Sequence, residues 1–253
     1  MVFSPNNISS IILAAGKGSR MQSELPKVLH CINGKPLLSF VIAIARSVGS
    51  EKTVVIVGHQ AELIKTSFRD SGVIFAEQVP QMGTAHAVMQ AKNIFENYTG
   101  DILILCGDVP LLGVSSIIAM RDNHIHSDAV VTVMTAILDD PAHYGRIVKN
   151  EAGEISQIVE YRDATDAQRA IKEINTGIYC VKAPFLFDAI FKTNNNNQQK
   201  EYYLTDIIAI AKTDNKKAVA FLTDKPFEAM GINSIEELRF AEASLNQRGK
   251  SIL

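Results

Sequence analysis

The chain has 253 residues, 47% of them hydrophobic and 21% charged, with 25 Lys and Arg against 27 Asp and Glu and a formal net charge of −2 at pH 7. A chain of this length buries roughly 70–75% of its unfolded surface, enough for a core without disulfides or structural metal, and its charge balance excludes a general nucleic-acid binder. Cys31, Cys106 and Cys180 contain no C-x-x-C pair and cannot close a full disulfide set, which predicts a reducing, cytoplasmic setting. Met1 to Asn7 lacks a signal-peptide layout and no apolar run approaches spanning length, so the protein is expected to be soluble, with no membrane partner.

Ile11-Ile12-Leu13-Ala14-Ala15 suits a buried parallel strand and runs into Gly16-Lys17-Gly18-Ser19-Arg20-Met21, followed by Leu25-Pro26-Lys27. Glycines let backbone N–H groups approach an anion, and Arg20 and Lys27 add positive charge, so the loop reads as a phosphate site. Met21 stands where a dinucleotide fingerprint or a Walker A loop needs its later glycine, which excludes both. Taken by itself, the loop reads equally well as a turn with two solvent-facing cations.

Pro36 to Val48 predicts a buried helix with Pro36 in its first turn and Gly49 as its cap. Thr53 to Val57 predicts a strand, followed by a polar helix to Arg69, a strand at Val73 to Ala76 and a helix from Thr84 to Tyr98; this alternation implies βαβ units. Ile102 to Leu105 is a continuous apolar run, which suits a strand buried on both faces and places Asp108 beyond its carboxyl end, where ligands gather in open α/β sheets. Without that context Asp108 reads more readily as a turn or capping carboxylate before a helix at Val114 to Asn123 than as a metal ligand.

After a strand at Val130 to Val133, Arg146 to Val148 and Ile155 to Val159 flank Glu151-Ala152-Gly153 as a hairpin. An acidic helical stretch, a strand at Asn175 to Val181 and a helix opened by Pro184 follow, so the second half reads as a mixed annex over the same sheet. Asn194 to Gln199 reads as a mobile surface loop, and Ile235 to Gln247 as a packed closing helix. His86 reads as structural. His124-x-His126 reads as a solvated helix end, with no zinc site expected. No G-x-S-x-G elbow supports a hydrolase.

The string Leu13 to Lys27 resembles the nucleotide-binding loop of sugar-1-phosphate nucleotidyltransferases. Further blocks follow in order: Gln78 with Met82-Gly83-Thr84-Ala85-His86-Ala87, Gly107-Asp108-Val109-Pro110-Leu111, Tyr144-Gly145-Arg146, Ile158-Val159-Glu160, Ile174-Asn175-Thr176-Gly177, Glu201 to Asp206, and Gly231-Ile232-Asn233. Together they resemble, over nearly the whole chain, the uridyltransferase half of the bifunctional enzymes that make UDP-N-acetylglucosamine. One departure is Cys106, where some relatives carry a larger residue.

The resemblance implies a Rossmann-like α/β nucleotidyltransferase fold with a mostly parallel sheet and a small mixed β insertion. It implies one domain over residues 1–253, with residues 1–136 binding nucleotide and 137–253 binding sugar. It assigns Leu13, Ala14, Ala15, Gly16, Gln78, Gly83, Thr84, Gly107 and Asp108 to the nucleotide, and Gly145, Glu160, Asn175, Tyr203 and Thr205 to the sugar. Asp108 and Asn233 are assigned to Mg²⁺, and Arg20 and Lys27 to catalysis. In isolation Asn233 reads as a cap before Ser234, and Gly145, Glu160 and Asn175 as turn residues.

The implied reaction transfers the uridylyl group of UTP to N-acetylglucosamine-1-phosphate, giving UDP-N-acetylglucosamine, a cell-envelope precursor, and pyrophosphate. The rivals are a glucose-1-phosphate nucleotidyltransferase using UTP or dTTP, which Glu160 and Asn175-Thr176-Gly177 disfavour, and a non-catalytic nucleotide-sugar sensor. The family's β-helical acetyltransferase repeats have no match in this sequence, so acetyl transfer is expected to be absent, and the oligomeric state stays open.

Overall fold

The structure is a computed structural model that describes residues 7–18, 21 and 23–250, with side chains as far as residue 247. Its strands are β1 (Ile8–Leu13), β2 (Cys31–Ile32), β3 (Lys35–Pro36), β4 (Thr53–Val57), β5 (Ile74–Glu77), β6 (Asp101–Cys106), β7 (Val131–Ile137), β8 (Arg146–Lys149), β9 (Ile155–Val159), β10 (Glu173–Lys182) and β11 (Ala218–Leu222). The helices are α1 (Leu37–Ser47), α2 (Ala61–Ser67), α3 (Thr84–Met89), α4 (Val114–His126), α5 (Asp166–Arg169), α6 (Ala183–Ala189), α7 (Asp206–Thr213) and α8 (Ile235–Lys250).

Among the described residues the main sheet runs β11-β7-β10-β6-β1-β4-β5, with the β8–β9 hairpin attached to β10. The pairs β1–β4, β1–β6, β4–β5 and β7–β11 are parallel, while β10 runs antiparallel to both β6 and β7. This is the Rossmann-like α/β arrangement that the resemblance implies. Burial explains the apolar runs. Ile11, Ile56, Ile102 and Ile104 face one core with α6 and α7, and Ile12, Val55, Leu103 and Leu105 face the other with α1 and α4. Leu38, Val41 and Ile42 of α1 are buried in that second core, each contributing roughly 1.5–3 kcal/mol.

Several elements are shorter than predicted. The helix expected from Thr84 to Tyr98 ends at Met89 and is followed by a 3₁₀ turn at Lys92–Phe95; Asn93 and Asn97 are poor helix formers, and Asn97 turns the chain at φ 60° toward β6. The acidic stretch yields one turn, α5, closed by a Thr165–Gln168 capping box. The amide-rich segment, expected to be a mobile loop, is tied down: Gln198 N–H donates to Asp163 Oδ1 (2.9 Å), Asn197 Nδ2 to Glu201 O (2.6 Å) and Gln199 Nε2 to the Tyr203 hydroxyl (2.8 Å).

Two elements are additional to the sequence reading. β11 is a partly exposed edge strand whose short Ala-Val-Ala-Phe-Leu run carries a weak pattern. The β2–β3 hairpin turns at Asn33 (φ 50°) and Gly34 (φ 74°), the Asn-Gly pair that a two-residue hairpin favours. It matters for the site because Asn33 N–H donates to Glu242 Oε1 (2.8 Å) and Asn33 Nδ2 to Asn246 Oδ1 (2.9 Å), so the hairpin holds α8. Ala241 of α8 is buried with Ile32, Leu37, Leu111 and Ile232 in a third cluster. No helix among the described residues is long and apolar enough to cross a membrane.

Candidate active site

The carboxyl ends of the adjacent parallel strands β1 and β6 form the floor. Gly107 N–H donates to Leu13 O (2.9 Å) and Ala14 N–H to Ile56 O (2.9 Å), so the chain beyond β1 lies between the ends of β4 and β6. A Cβ at Gly107 would stand 3.1 Å from both Leu13 O and Val28 Cγ1, so close packing calls for glycine here. Ala14 and Ala15 are buried, whereas Gly16 is exposed.

Lys27 is placed by the same loop. Gly18 has φ 63°, and a Cβ there would lie 2.5 Å from Lys27 Cβ, so only glycine lets the loop cross this side chain. The Lys27 ammonium then donates to Asn233 Oδ1 (2.7 Å) and forms an ion pair with Asp108 Oδ2. Asn233 Nδ2 donates to Gly231 O (3.0 Å), and Ile232 N–H donates to Asp108 O (2.9 Å), which fixes the loop before α8 over the end of β6. Two residues 125 positions apart in the chain, Asp108 and Asn233, thereby share one cation. Arg20, the second expected cation, lies outside the described residues.

Gln78 is buried; its Nε2 donates to Gly83 O (2.9 Å) and lies 3.1 Å from His86 Nδ1. Burial lowers the His86 pKa, which favours the neutral ring and fits the structural reading of that residue. Gly83 (φ 103°) leaves no room for a side chain, since a Cβ would stand 2.5 Å from Tyr202 O. Thr84 Oγ1 accepts from Leu204 N–H (2.9 Å), so Gly83 and Thr84 clasp the segment that carries Tyr203 and Thr205.

That segment reaches the residues assigned to the sugar. Thr205 Oγ1 donates to Glu160 Oε1 (3.2 Å), and a Cβ at Gly145 would stand 3.4 Å from Glu160 Oε2 and 3.6 Å from Asn175 Cβ. Asn175 N–H donates to Gly145 O (2.9 Å), and Asn175 Oδ1 accepts from Gly177 N–H (2.9 Å) and the Tyr179 hydroxyl (3.1 Å). β10 bulges between Asn175 and Tyr179, with Gly177 at φ 79°, which re-aims Asn175. Burial, aided by Asp163 and Asp206, raises the Glu160 pKa against the hydrogen bond from Thr205. Tyr203 instead gives its hydroxyl proton to Asp163 Oδ2 (3.1 Å), one step outward from Glu160.

Beside Asp108 lies a cavity of about 630 Å³ whose walls include Tyr144, Thr176, Met230, Asn233 and Phe240. The Tyr144 hydroxyl lies against the Gly231 backbone, and burial pushes its pKa up to about 12. Cys106 also lines the cavity; burial and the neighbouring Asp108 push its thiol up to about 12, so it stays neutral. A residue absent from the expected set braces the wall formed by Ala142 and Tyr144 from behind. The buried Arg146 donates through Nη1 to Tyr144 O and Pro141 O, through Nη2 to Ala142 O, and through Nε to Arg169 O. Its one signal in the sequence is its place in the Tyr144-Gly145-Arg146 block.

Asp108 and Asn233 offer a carboxylate and an amide oxygen, a hard donor set, and they already hold one cationic group between them, so the residues present suit a divalent metal.

The profile of the nucleotidyl transferase family matches residues 9–228, and the chain belongs to that family of enzymes. It is 44% identical over 243 residues to the Bifunctional protein GlmU of Desulfotalea psychrophila, across 96% of this chain and 72% of the relative. The proteins of the same name from Geotalea daltonii (45% over 237 residues, 93% of this chain, 51% of the relative) and Bacillus licheniformis (44% over 239 residues, 94% and 52%) are equally similar. The chain spans about half the length of these last two curated relatives. The resemblance to the uridyltransferase half, read from the ordered motifs, is borne out by these matches. UDP-glucose pyrophosphorylase in complex with UDP-glucose shares the fold with a TM-score of 0.74 at 17% identity, over 95% of this chain and 99% of that one.

Proposed function

We propose that this protein transfers the uridylyl group of UTP to N-acetylglucosamine-1-phosphate, releasing pyrophosphate and UDP-N-acetylglucosamine. The observation that carries the reading is the meeting of Lys27, Asp108 and Asn233 at the carboxyl ends of β1 and β6, beside the exposed Gly16. A sugar phosphate oxygen, anionic at neutral pH, forms the new bond to the α-phosphorus of UTP as the bond to pyrophosphate breaks. No protein nucleophile and no proton transfer are needed, so the chain's task is alignment and charge neutralisation.

Leu13 to Gly16, Gln78, Gly83, Thr84 and Gly107 hold the nucleotide in this reading, and Lys27 and Arg20 supply fixed positive charge to the phosphates. Asp108 and Asn233 would hold Mg²⁺, and the ion would supply neutralisation of phosphate charge. Gly145, Glu160, Asn175 and Thr205 form the sugar wall: the Glu160 carboxylate accepts from sugar hydroxyls, and the small Gly145 leaves room beside it. Tyr203 supports that wall through Asp163.

The test is pyrophosphate release with UTP and Mg²⁺, comparing N-acetylglucosamine-1-phosphate, glucosamine-1-phosphate and glucose-1-phosphate. Preference for the first supports the assignment. Preference for glucose-1-phosphate moves the chain to the neighbouring specificity, and UTP binding without release from any sugar indicates a sensor.

A further inference from the structure

The opposite end of the sheet holds a cluster that uridylyl transfer does not use. Asp101 opens β6, seven positions before Asp108, which at roughly 3.3 Å per residue puts it about 20 Å from the candidate active site. Cys180 lies on the neighbouring β10, paired with Leu103 of β6 on one side and Thr132 of β7 on the other. His124 stands in the last turn of α4, packed over this face. It was expected at a solvated helix end but is only 1% exposed, because α4 runs three residues beyond Asn123 and turns this side chain inward. His126, its partner in the sequence pattern, is exposed and contacts Asp122 O.

The carboxylate, imidazole and thiol ligand atoms of Asp101, His124 and Cys180 lie within 4.8 Å of one another. His124 Nδ1 is 2.9 Å from Thr132 Oγ1. With Nδ1–H donating to that hydroxyl, the lone pair sits on Nε2 and is aimed at the other two groups, as an outer partner does for a ligating histidine. Nε2 is buried and has no hydrogen-bond partner among the described residues. Its nearest approach to Asp101 Oδ1 is 3.6 Å, too long for a hydrogen bond. A tetrahedral ion with zinc bond lengths spaces its nitrogen, oxygen and sulfur ligands roughly 3.4–3.6 Å apart, so small side-chain rotations bring the three into that frame.

We propose that Asp101, His124 and Cys180 form a second metal site, distinct from the Asp108–Asn233 pair, that takes Zn²⁺ through three protein ligands. The mixed oxygen, nitrogen and sulfur set suits this borderline-soft ion and disfavours Mg²⁺. Asp101, whose side chain is 19% exposed, is the ion's route from solvent. Burial and Asp101 keep the Cys180 thiol protonated in the free protein while Arg121 opposes them, so binding releases the thiol proton. An ion here ties the start of β6, the end of α4 and the carboxyl-terminal part of β10 together, and stabilises the fold by mass action.

The test is Co²⁺ titration of the full chain in excess Mg²⁺, read by absorption. One equivalent should produce a sulfur-to-cobalt charge-transfer band in the near ultraviolet and the visible bands of a tetrahedral ion, and Zn²⁺ should displace both. Cys180→Ser should abolish the near-ultraviolet band, whereas Cys31→Ser, at an exposed thiol, and Cys106→Ser should retain it. Asp101→Asn should weaken Zn²⁺ binding at least on the order of tenfold. Absence of the band from the unmodified protein, or its survival in Cys180→Ser, overturns the site. Should Cys180→Ser fail to fold, unchanged Zn²⁺ affinity in Asp101→Asn overturns it instead. None of these measurements depends on catalytic turnover.

Discussion

Lys27 holds one ammonium against a carboxylate and an amide that come from distant parts of the chain, and this sets what its removal should do. Replacing it by Ala deletes a positioned charge while leaving Gly18 and the strand ends unstrained, so turnover should fall on the order of 10²–10³ with the fold retained. Asp108→Asn should abolish metal-dependent turnover at limiting Mg²⁺ without loss of helical circular dichroism, because this side chain stands beyond β6 and not inside either core. Near-normal pyrophosphate release from Lys27→Ala would take that residue out of the mechanism, and normal activity of Asp108→Asn would contradict its assignment to the metal. The sequence alone left each residue ambiguous: Asp108 taken by itself reads more readily as a turn carboxylate, and nothing in its spacing to Asn233 brings the two together. Only the ordered family blocks pointed to both. His124 shows the opposite case, where a two-histidine pattern suggested solvent and tertiary packing decided otherwise.

The elements were legible where local chemistry determines them. Continuous apolar runs marked β4 and β6, and Pro36 and Gly49 bracketed α1. The Asn33-Gly34 hairpin was a local signal left unread, and β11 was hidden because an edge strand buries too little to enforce a pattern. The clasp of Gly83 onto Tyr202 was out of reach of sequence, since it depends on where a segment more than a hundred residues later crosses. Two glycines therefore separate two kinds of cost. Gly34→Ala meets open space and pays only for its left-handed backbone, about 1–2 kcal/mol. Gly83→Ala adds a backbone collision at 2.5 Å to a strained φ of 103°, so its loss should exceed that of Gly34→Ala by roughly 1–3 kcal/mol. Each kcal/mol should lower Tm by about 2–4 °C in a chain of this size. Paired thermal unfolding tests the order, and equal losses at the two positions would show that the 83–202 contact does not constrain the fold.

Across the molecule, the two portions of the chain meet in one sheet because β10 returns between β6 and β7, and this brings acidic groups of the second portion together around Glu160. Burial first, then Asp163, raises the Asp206 carboxyl from 3.8 to about 6. Its position at the start of α7, beneath the Tyr203–Thr205 segment, explains the desolvation. Between these two values the folded chain holds a proton that the unfolded chain has given up, so the slope of stability against pH is negative in that window. This group therefore costs stability above pH 6, and that cost is relieved as pH falls from 6 toward 4. Glu160, shifted in the same direction, acts in the same sense. Urea midpoints measured at pH 7 and pH 5 should show Asp206→Asn stabilised relative to the unmodified protein at pH 7, with the difference shrinking at pH 5. Protonation of Glu160, which burial makes easier, bears on function in the opposite sense, since it leaves one acceptor fewer for the sugar. The KM for the sugar phosphate should thus rise as pH falls while the fold tightens. A variant no more stable than its parent at pH 7 would mean that the Asp206 carboxylate is solvated in the folded protein, and would remove the electrostatic tension argued for this wall.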